Sequence, residues 1–227
     1  MRKLVIEKAA VRANMAVVRK RAAGAALYGV LTGDGGGAGL VPLARMLRDE
    51  GVGRFAVGSV EEAQELREAG FVDEEILMLR ATVDREELER LIDLDLCICF
   101  DNGHYAAANG GWQKGDRSAL DFLEAHIDHI PYLHFKNVSG EVRKQELDGA
   151  LAWDDPKMDD IMCDLEDGII DYEAYRDLLD RLNFQGVGII EQDCPHATTQ
   201  EAFEKAKKNL EDHTKVCHTL DEVKTFM

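Results

Sequence analysis

No run of apolar residues in this chain is long enough to span a bilayer, and no apolar stretch follows its basic first residues as in a secretion signal. The expectation is a cytoplasmic protein with no membrane partner. Positive charge is also short. The 27 lysines and arginines stand against 44 acids, a formal net charge of −17. Phosphate would be repelled, which argues against nucleic acid or an anionic lipid surface as the main partner. Cysteine is sparse and odd in number (Cys97, Cys99, Cys163, Cys194 and Cys217), with no CxxC spacing. Neither a disulfide framework nor a cysteine-based zinc site is expected, and the thiols read as reduced, small hydrophobes. No Gly-Lys-Ser/Thr occurs in the glycine-rich stretch at 33–39, so it is not a Walker loop.

What is present suits a folded α/β body. At 227 residues, with 45% hydrophobic and 31% charged side chains, the chain can bury a real core. Helical spacing of Val11, Met15 and Val18 gives a first helix. Strand patterns follow at Leu27–Leu31, Arg54–Gly58, Ile76–Leu79, Leu96–Phe100, Tyr132–Phe135 and Val187–Ile190, with helix patterns between them. Ser59 with Glu62 reads as a capping box, and Asp84 as the cap of a helix over 85–92. Thr198 with Glu201 reads as the start of a late helix, and residues 213–227 as a polar tail. Strand and helix alternate six times, the signature of a parallel βα array. Periodicity does not separate an open sheet from a closed barrel. The long polar segment 137–168, with Trp153 inside it, reads as a functional loop or lid, with room for a short helix or strand.

The chemistry gathers at strand ends. Leu96-Cys97-Ile98-Cys99-Phe100 reads as a strand buried on both faces, ending in Asp101, with His104 just beyond. The next strands carry His134 with Lys136, and Glu191. In parallel α/β proteins such ends form the edge where sites are built. Each residue also has a purely structural reading. Asp101 suits a cap on the turn at Asn102-Gly103, His134 a hydrogen-bonded core histidine, and Glu191 a partner for Lys136. His126, His129, His196, His213 and His218 fall in helical or polar stretches and read as surface residues.

Residues 4–90 resemble the N-terminal part of the alanine racemase family, a pyridoxal-phosphate (PLP) barrel. The resemblance rests on Val30-Leu31-Thr32-Gly33-Asp34-Gly35-Gly36-Gly37-Ala38-Gly39, Phe55-Ala56-Val57, Glu61-Glu62-Ala63 and Leu66-Arg67-Glu68-Ala69-Gly70. Thr32 stands where that family has its Schiff-base lysine, Gly36 in place of its tyrosine and Ala38 in place of its histidine. Without an amine nucleophile no covalent PLP chemistry is expected. The glycine loop is left as a structural relic or weak anion site.

From about 94 to 210 the chain resembles xylose-isomerase-like barrels, most closely the inosose dehydratases. The motifs are Phe100-Asp101-Asn102-Gly103-His104, Leu133-His134-Phe135-Lys136-Asn137, Gly168-Ile169-Ile170-Asp171-Tyr172 and Ile189-Ile190-Glu191-Gln192-Asp193. The resemblance implies a divalent metal (Mn²⁺, Mg²⁺ or Co²⁺) at the mouth of a (βα)8 TIM barrel. Asp101, His134 and Glu191 would be ligands, and His104 and Lys136 would face a sugar or cyclitol. That family's first glutamate ligand comes from an earlier strand, and the strand before Asp101 here ends in Leu79-Arg80-Ala81-Thr82.

The fold expected is thus an α/β domain over 1–227, with a racemase-like half at 1–92, a xylose-isomerase-like half at 93–212 and a tail. It is a parallel array derived from TIM barrels, six βα units against the eight of a closed one. Unpaired sheet edges favour a homo-oligomer. Three readings stand: a metal-dependent sugar or polyol isomerase, epimerase or dehydratase with an incomplete site; a non-catalytic chimeric or designed scaffold; and a PLP- or phosphate-binding relic.

Overall fold

The computed structural model describes residues 4–165, 167–191, 200, 201 and 204. Its strands fall into two three-stranded parallel sheets and one short antiparallel pair. The chain divides into two compact units, residues 1–82 with 86–96 and residues 83–85 with 97–227. The cap read at Thr198 and the tail at 213–227 lie outside the described residues.

The first unit opens with α1 (Lys8–Ala22), which turns Met15 inward and most of its charged residues outward. Lys8 and Arg12 reach Asp49 and Glu50 at 3.2 and 3.0 Å. Residues 4–7 are exposed and form no strand. There follow β1 (Gly29–Val30), α2 (Thr32–Gly36), α3 (Leu40–Asp49), β2 (Arg54–Val57), α4 (Val60–Glu68), β3 (Glu75–Met78) and α5 (Arg85–Asp93). The sheet order is β1-β2-β3, all parallel, with Phe55 opposite Gly29 and Ile76. Its helix-covered face holds the core, with Leu31, Phe55, Val57, Val60, Leu66 and Phe71 fully buried. Phe55 and Phe71 meet edge to face at 5.4 Å, and the Arg48 guanidinium lies 4.4 Å from the centre of the Phe71 ring.

The second unit continues with β4 (Cys99–Asp101), α6 (Asn102–Asn109), α7 (Ser118–His126), β5 (Tyr132–Phe135), β6 (Asn137–Val138), α8 (Gly140–Leu147), β7 (Met162–Cys163), α9 (Tyr172–Arg181) and β8 (Val187–Ile190). Its main sheet runs β4-β5-β8, parallel throughout, with Asp101 opposite His134 and His134 opposite Ile189. Phe100, Leu133 and Phe135 point to the helices, where Phe100 packs on Tyr105 and Phe122, and Phe135 on Tyr172 and Tyr175. The 137–168 segment is largely ordered by its own elements. It carries α8, a 3-10 turn at Pro156–Asp160 and the antiparallel pair β6–β7, which does not extend the main sheet. Trp153 within it is 85% exposed.

One expectation is corrected. The segment leading to Asp101 is a strand only over Cys99–Asp101, and it is not buried on both faces. Leu96, Ile98 and Phe100 are buried, whereas Cys97 and Cys99 are exposed. Tyr132, Val187 and Ile189 share that open face, each more than 40% exposed. Side chains alternate along a strand, so a second apolar row is buried only where a second layer covers it. No described helix is long and apolar enough to cross a membrane.

Candidate functional site

The open face of β4-β5-β8 carries the charged cluster. Residues aligned across parallel strands point to the same side, so Asp101 and His134 lie together. Glu191 follows β8, its N–H donating to the Phe135 carbonyl at 3.1 Å, which places it beside Lys136. Ligand atoms of Asp101, His134 and Glu191 all lie within 4.8 Å of one another. The three residues singled out from strand ends therefore do converge.

Each side chain is aimed by local structure. Asp101 is the N-cap of α6, and its Oδ1 accepts from the His104 backbone N–H at 2.9 Å. Its Oδ2 is left to the site, 3.7 Å from His134 Nδ1 and 3.9 Å from both Lys136 Nζ and His104 Nε2. The cap reading and the site reading of Asp101 are thus served by different oxygens. His134 Nδ1 lies 2.6 Å from Glu191 Oε2. A carboxylate only accepts, so this nitrogen carries the proton. Glu191 Oε1 takes the Lys136 ammonium at 2.9 Å. Partial burial pushes the Glu191 carboxyl up, but hydrogen bonds and charge from Lys136 and His134 outweigh it and hold the group below its usual range. Lys136 is only 5% exposed, and its Nζ also lies 3.1 Å from His104 Nε2. The His104 side chain is half exposed.

Behind Lys136 lies a polar clamp that sequence reasoning did not single out. Fully buried Asn102 accepts the Lys136 N–H on Oδ1 at 2.9 Å and donates from Nδ2 to the Tyr172 hydroxyl at 3.2 Å. That hydroxyl donates in turn to the Lys136 carbonyl at 2.5 Å. Burial pushes the Tyr172 phenol well up, so it serves as a neutral donor. Gly103 is required by close approach, since a Cβ there would lie 2.4 Å from Lys136 Cβ. The available signal was the Asp101-Asn102-Gly103 run, a helix start as well as a turn, together with Tyr172 directly after the Asp171 cap of α9.

The donor set fits a divalent cation. Two carboxylates and one imidazole within reach of a common point suit Mn²⁺, Mg²⁺ or Co²⁺, and an ammonium already rests against both carboxylates as a stand-in cation. A cation taking the imidazole through Nδ1 would replace the proton now shared with Glu191. The neighbouring Cys99 thiol is pushed up by partial burial and by Asp101 and Glu191, which disfavours a thiolate there. Arg80, at the end of the preceding strand, supplies no ligand and is held by Glu87 at 2.7 and 2.9 Å.

The first unit closes its corresponding edge differently. Gly33, Asp34, Gly35, Gly36 and Gly37 all have positive φ, so α2 is a left-handed turn that glycine makes accessible. Its amides do not await a ligand. Glu62 Oε1 accepts from Gly33 N–H at 2.8 Å and Asp34 N–H at 3.2 Å, and Oε2 from Gly58 N–H at 2.7 Å. The capping box is correspondingly half made: Ser59 accepts from the Glu62 N–H, while the Glu62 carboxylate goes to the loop and Gly58. A cavity of about 630 Å³ in this unit lies at the amino ends of the strands, where Arg54 already pairs with Glu75, and contains none of the groups above.

Known proteins match in two groups. The family model for the alanine racemase N-terminal domain matches residues 6–116. The alanine racemase of Nitrosomonas europaea is 42% identical over 86 residues, 38% of this chain and 23% of that protein. The inosose dehydratase of Yersinia enterocolitica is 27% identical over 132 residues, 56% of this chain and 43% of the relative. Among solved structures, alanine racemase from Oenococcus oeni gives a TM-score of 0.35 at 20% identity, over 64% of this chain and 47% of that one. The chain spans less than half the length of each of these proteins, and in sequence it resembles both families.

Proposed function

We propose that this chain acts on a sugar or cyclitol by metal-assisted isomerisation, epimerisation or loss of water, through the cluster at the carboxyl edge of β4-β5-β8. The observation that carries the reading is the convergence of Asp101, His134 and Glu191 within 4.8 Å. These three would hold a divalent cation, with its remaining positions open to substrate oxygens. Such an ion supplies polarisation of a carbonyl, which acidifies the neighbouring C–H. Lys136 would donate from Nζ to a substrate oxygen. His104, half exposed, would move the proton through Nε2, taking it from carbon or delivering it to a departing hydroxyl that leaves as water. The inosose dehydratase relatives support a polyhydroxylated ring with a ketone as substrate. Three protein ligands would hold an ion more loosely than four and leave positions open to substrate.

The test is thermal unfolding with and without Mn²⁺. Saturating Mn²⁺ raises the melting temperature of the parent and not that of Asp101→Ala or Glu191→Ala. An equal shift in all three would place the ion elsewhere and end this reading.

A second reading keeps the fold without turnover, as two barrel-derived pieces fused at residues 92–93. It is favoured by the way Lys136 and His134 already satisfy both carboxylates. No response of the parent to Mn²⁺ would leave it standing. The phosphate-relic reading is opposed by Glu62, whose carboxylate takes amides that a phosphate would need.

A further inference from the structure

Two carboxylates with ligand atoms inside 4.8 Å repel one another and need a counter-charge whether or not a metal is bound. The chain provides one. Lys136 Nζ lies 2.9 Å from Glu191 Oε1 and 3.9 Å from Asp101 Oδ2, on a side chain 5% exposed. A dication bonded to those carboxylates and an ammonium at these distances from them would repel strongly in a partly desolvated site. Resting on the cation reading above, we infer that Lys136 is the resident counter-cation of the site, and that a divalent ion enters by displacing its ammonium from Glu191.

The surroundings determine what can move. The Lys136 backbone is fixed at both polar groups, N–H to Asn102 and C=O to Tyr172, and α6 presses on its Cβ at Gly103. Exchange therefore falls to the side-chain torsions beyond Cβ. The ammonium already lies 3.1 Å from His104 Nε2, on a half-exposed ring, and keeps that contact on leaving Glu191 until substrate engages both groups. Ion entry would thus take Lys136 off the carboxylates while it stays beside the group proposed to face substrate. One event fills the site and frees the lysine to donate.

The test is a Mn²⁺ titration of the full chain, reading free ion by electron paramagnetic resonance, for the parent and Lys136→Met. Removing the competing charge is expected to tighten Mn²⁺ binding at least about tenfold. Equal or weaker binding by Lys136→Met, with the parent binding, overturns the exchange and leaves the cation reading in place. Absence of binding in both proteins ends the cation reading and the exchange with it. Binding by Lys136→Met alone supports the exchange in its strongest form. A measurement on the parent guards against a misfolded variant. Acetylation of Lys136, followed by peptide mass spectrometry, is expected to accelerate several-fold at saturating Mg²⁺ as the ammonium leaves Glu191. An unchanged or slower rate overturns the inference.

Discussion

The two units bring polar groups to the carboxyl edge of a three-stranded parallel sheet and use them in opposite ways. In the first, three backbone amides converge on the single carboxylate of Glu62, so donors and acceptor are held by the same fold and are matched to each other. In the second, apart from the His104 N–H on Asp101 Oδ1, the groups of Asp101, His134, Lys136, Glu191 and His104 are matched through other side chains, at distances from 2.6 to 3.9 Å. To admit another ligand the Glu62 carboxylate would have to release three amides at once, whereas each side-chain pair of the second cluster can be exchanged singly by rotation. A strand-end cluster is therefore a candidate site when its partners are replaceable. Mere placement at the edge is not sufficient.

The sharpest way to break the second edge is to disturb what holds Lys136. In Gly103→Ala the new Cβ meets Lys136 Cβ at 2.4 Å and backbone carbons of Lys136 at 3.3 and 3.4 Å, so the helix start or the strand end must shift. The expected cost is about 3 kcal/mol, from overpacking at a buried site with a disturbed hydrogen-bond clamp. Urea unfolding measures it, and a cost under about 0.5 kcal/mol would mean that this contact yields easily.

The first edge is expected to suffer less. Glu62→Ala removes the acceptor shared by Gly33, Asp34 and Gly58, but the amides of Gly33 and Asp34 are near water and can be rehydrated. Loss of about 2 kcal/mol is expected from these charge-assisted bonds. Millimolar inorganic phosphate should restore part of the lost melting temperature in Glu62→Ala and leave the parent unchanged. No effect on either protein would show that the amides hold their arrangement only around Glu62.

Much of this organisation was legible in the sequence, because it is local. Every strand carrying a site residue ends in a polar group after an apolar run, and that pattern places Asp101, His134 and Glu191 on one edge whatever the sheet's order. Three features were not legible. Helix α6 was hidden because Asp101-Asn102-Gly103 serves equally as a turn or as a helix start, and packing against Lys136 decides between them. The left-handed sense of α2 depends on contacts from Glu62, 28 and 29 residues away. The exposure of Cys97, Cys99 and Ile189 depends on whether a second layer covers their face, which no property of a single strand fixes. The clamp of Asn102 and Tyr172 spans 70 residues and belongs to this last class.

The smallest effect, and the most diagnostic of replaceable partners, is the pH dependence of Glu191. Its carboxyl is pushed up by burial and held down more strongly by Lys136 and His134, so its folded value lies below the ordinary 4.5. A depressed folded value means the unfolded chain binds the proton more readily. The stabilisation is therefore complete above the ordinary value and is lost as pH falls through the depressed one. Glu191→Gln, which cannot ionise, should be less stable than the parent near neutrality, and the gap should close progressively below about pH 5. Gly103→Ala changes no charge, so its cost should stay the same over that range. Denaturant unfolding of the parent and both variants between about pH 7 and pH 3 compares them directly. A Glu191→Gln deficit that persists unchanged into acid would mean that Glu191 stabilises by packing, and that its pairs with Lys136 and His134 contribute little.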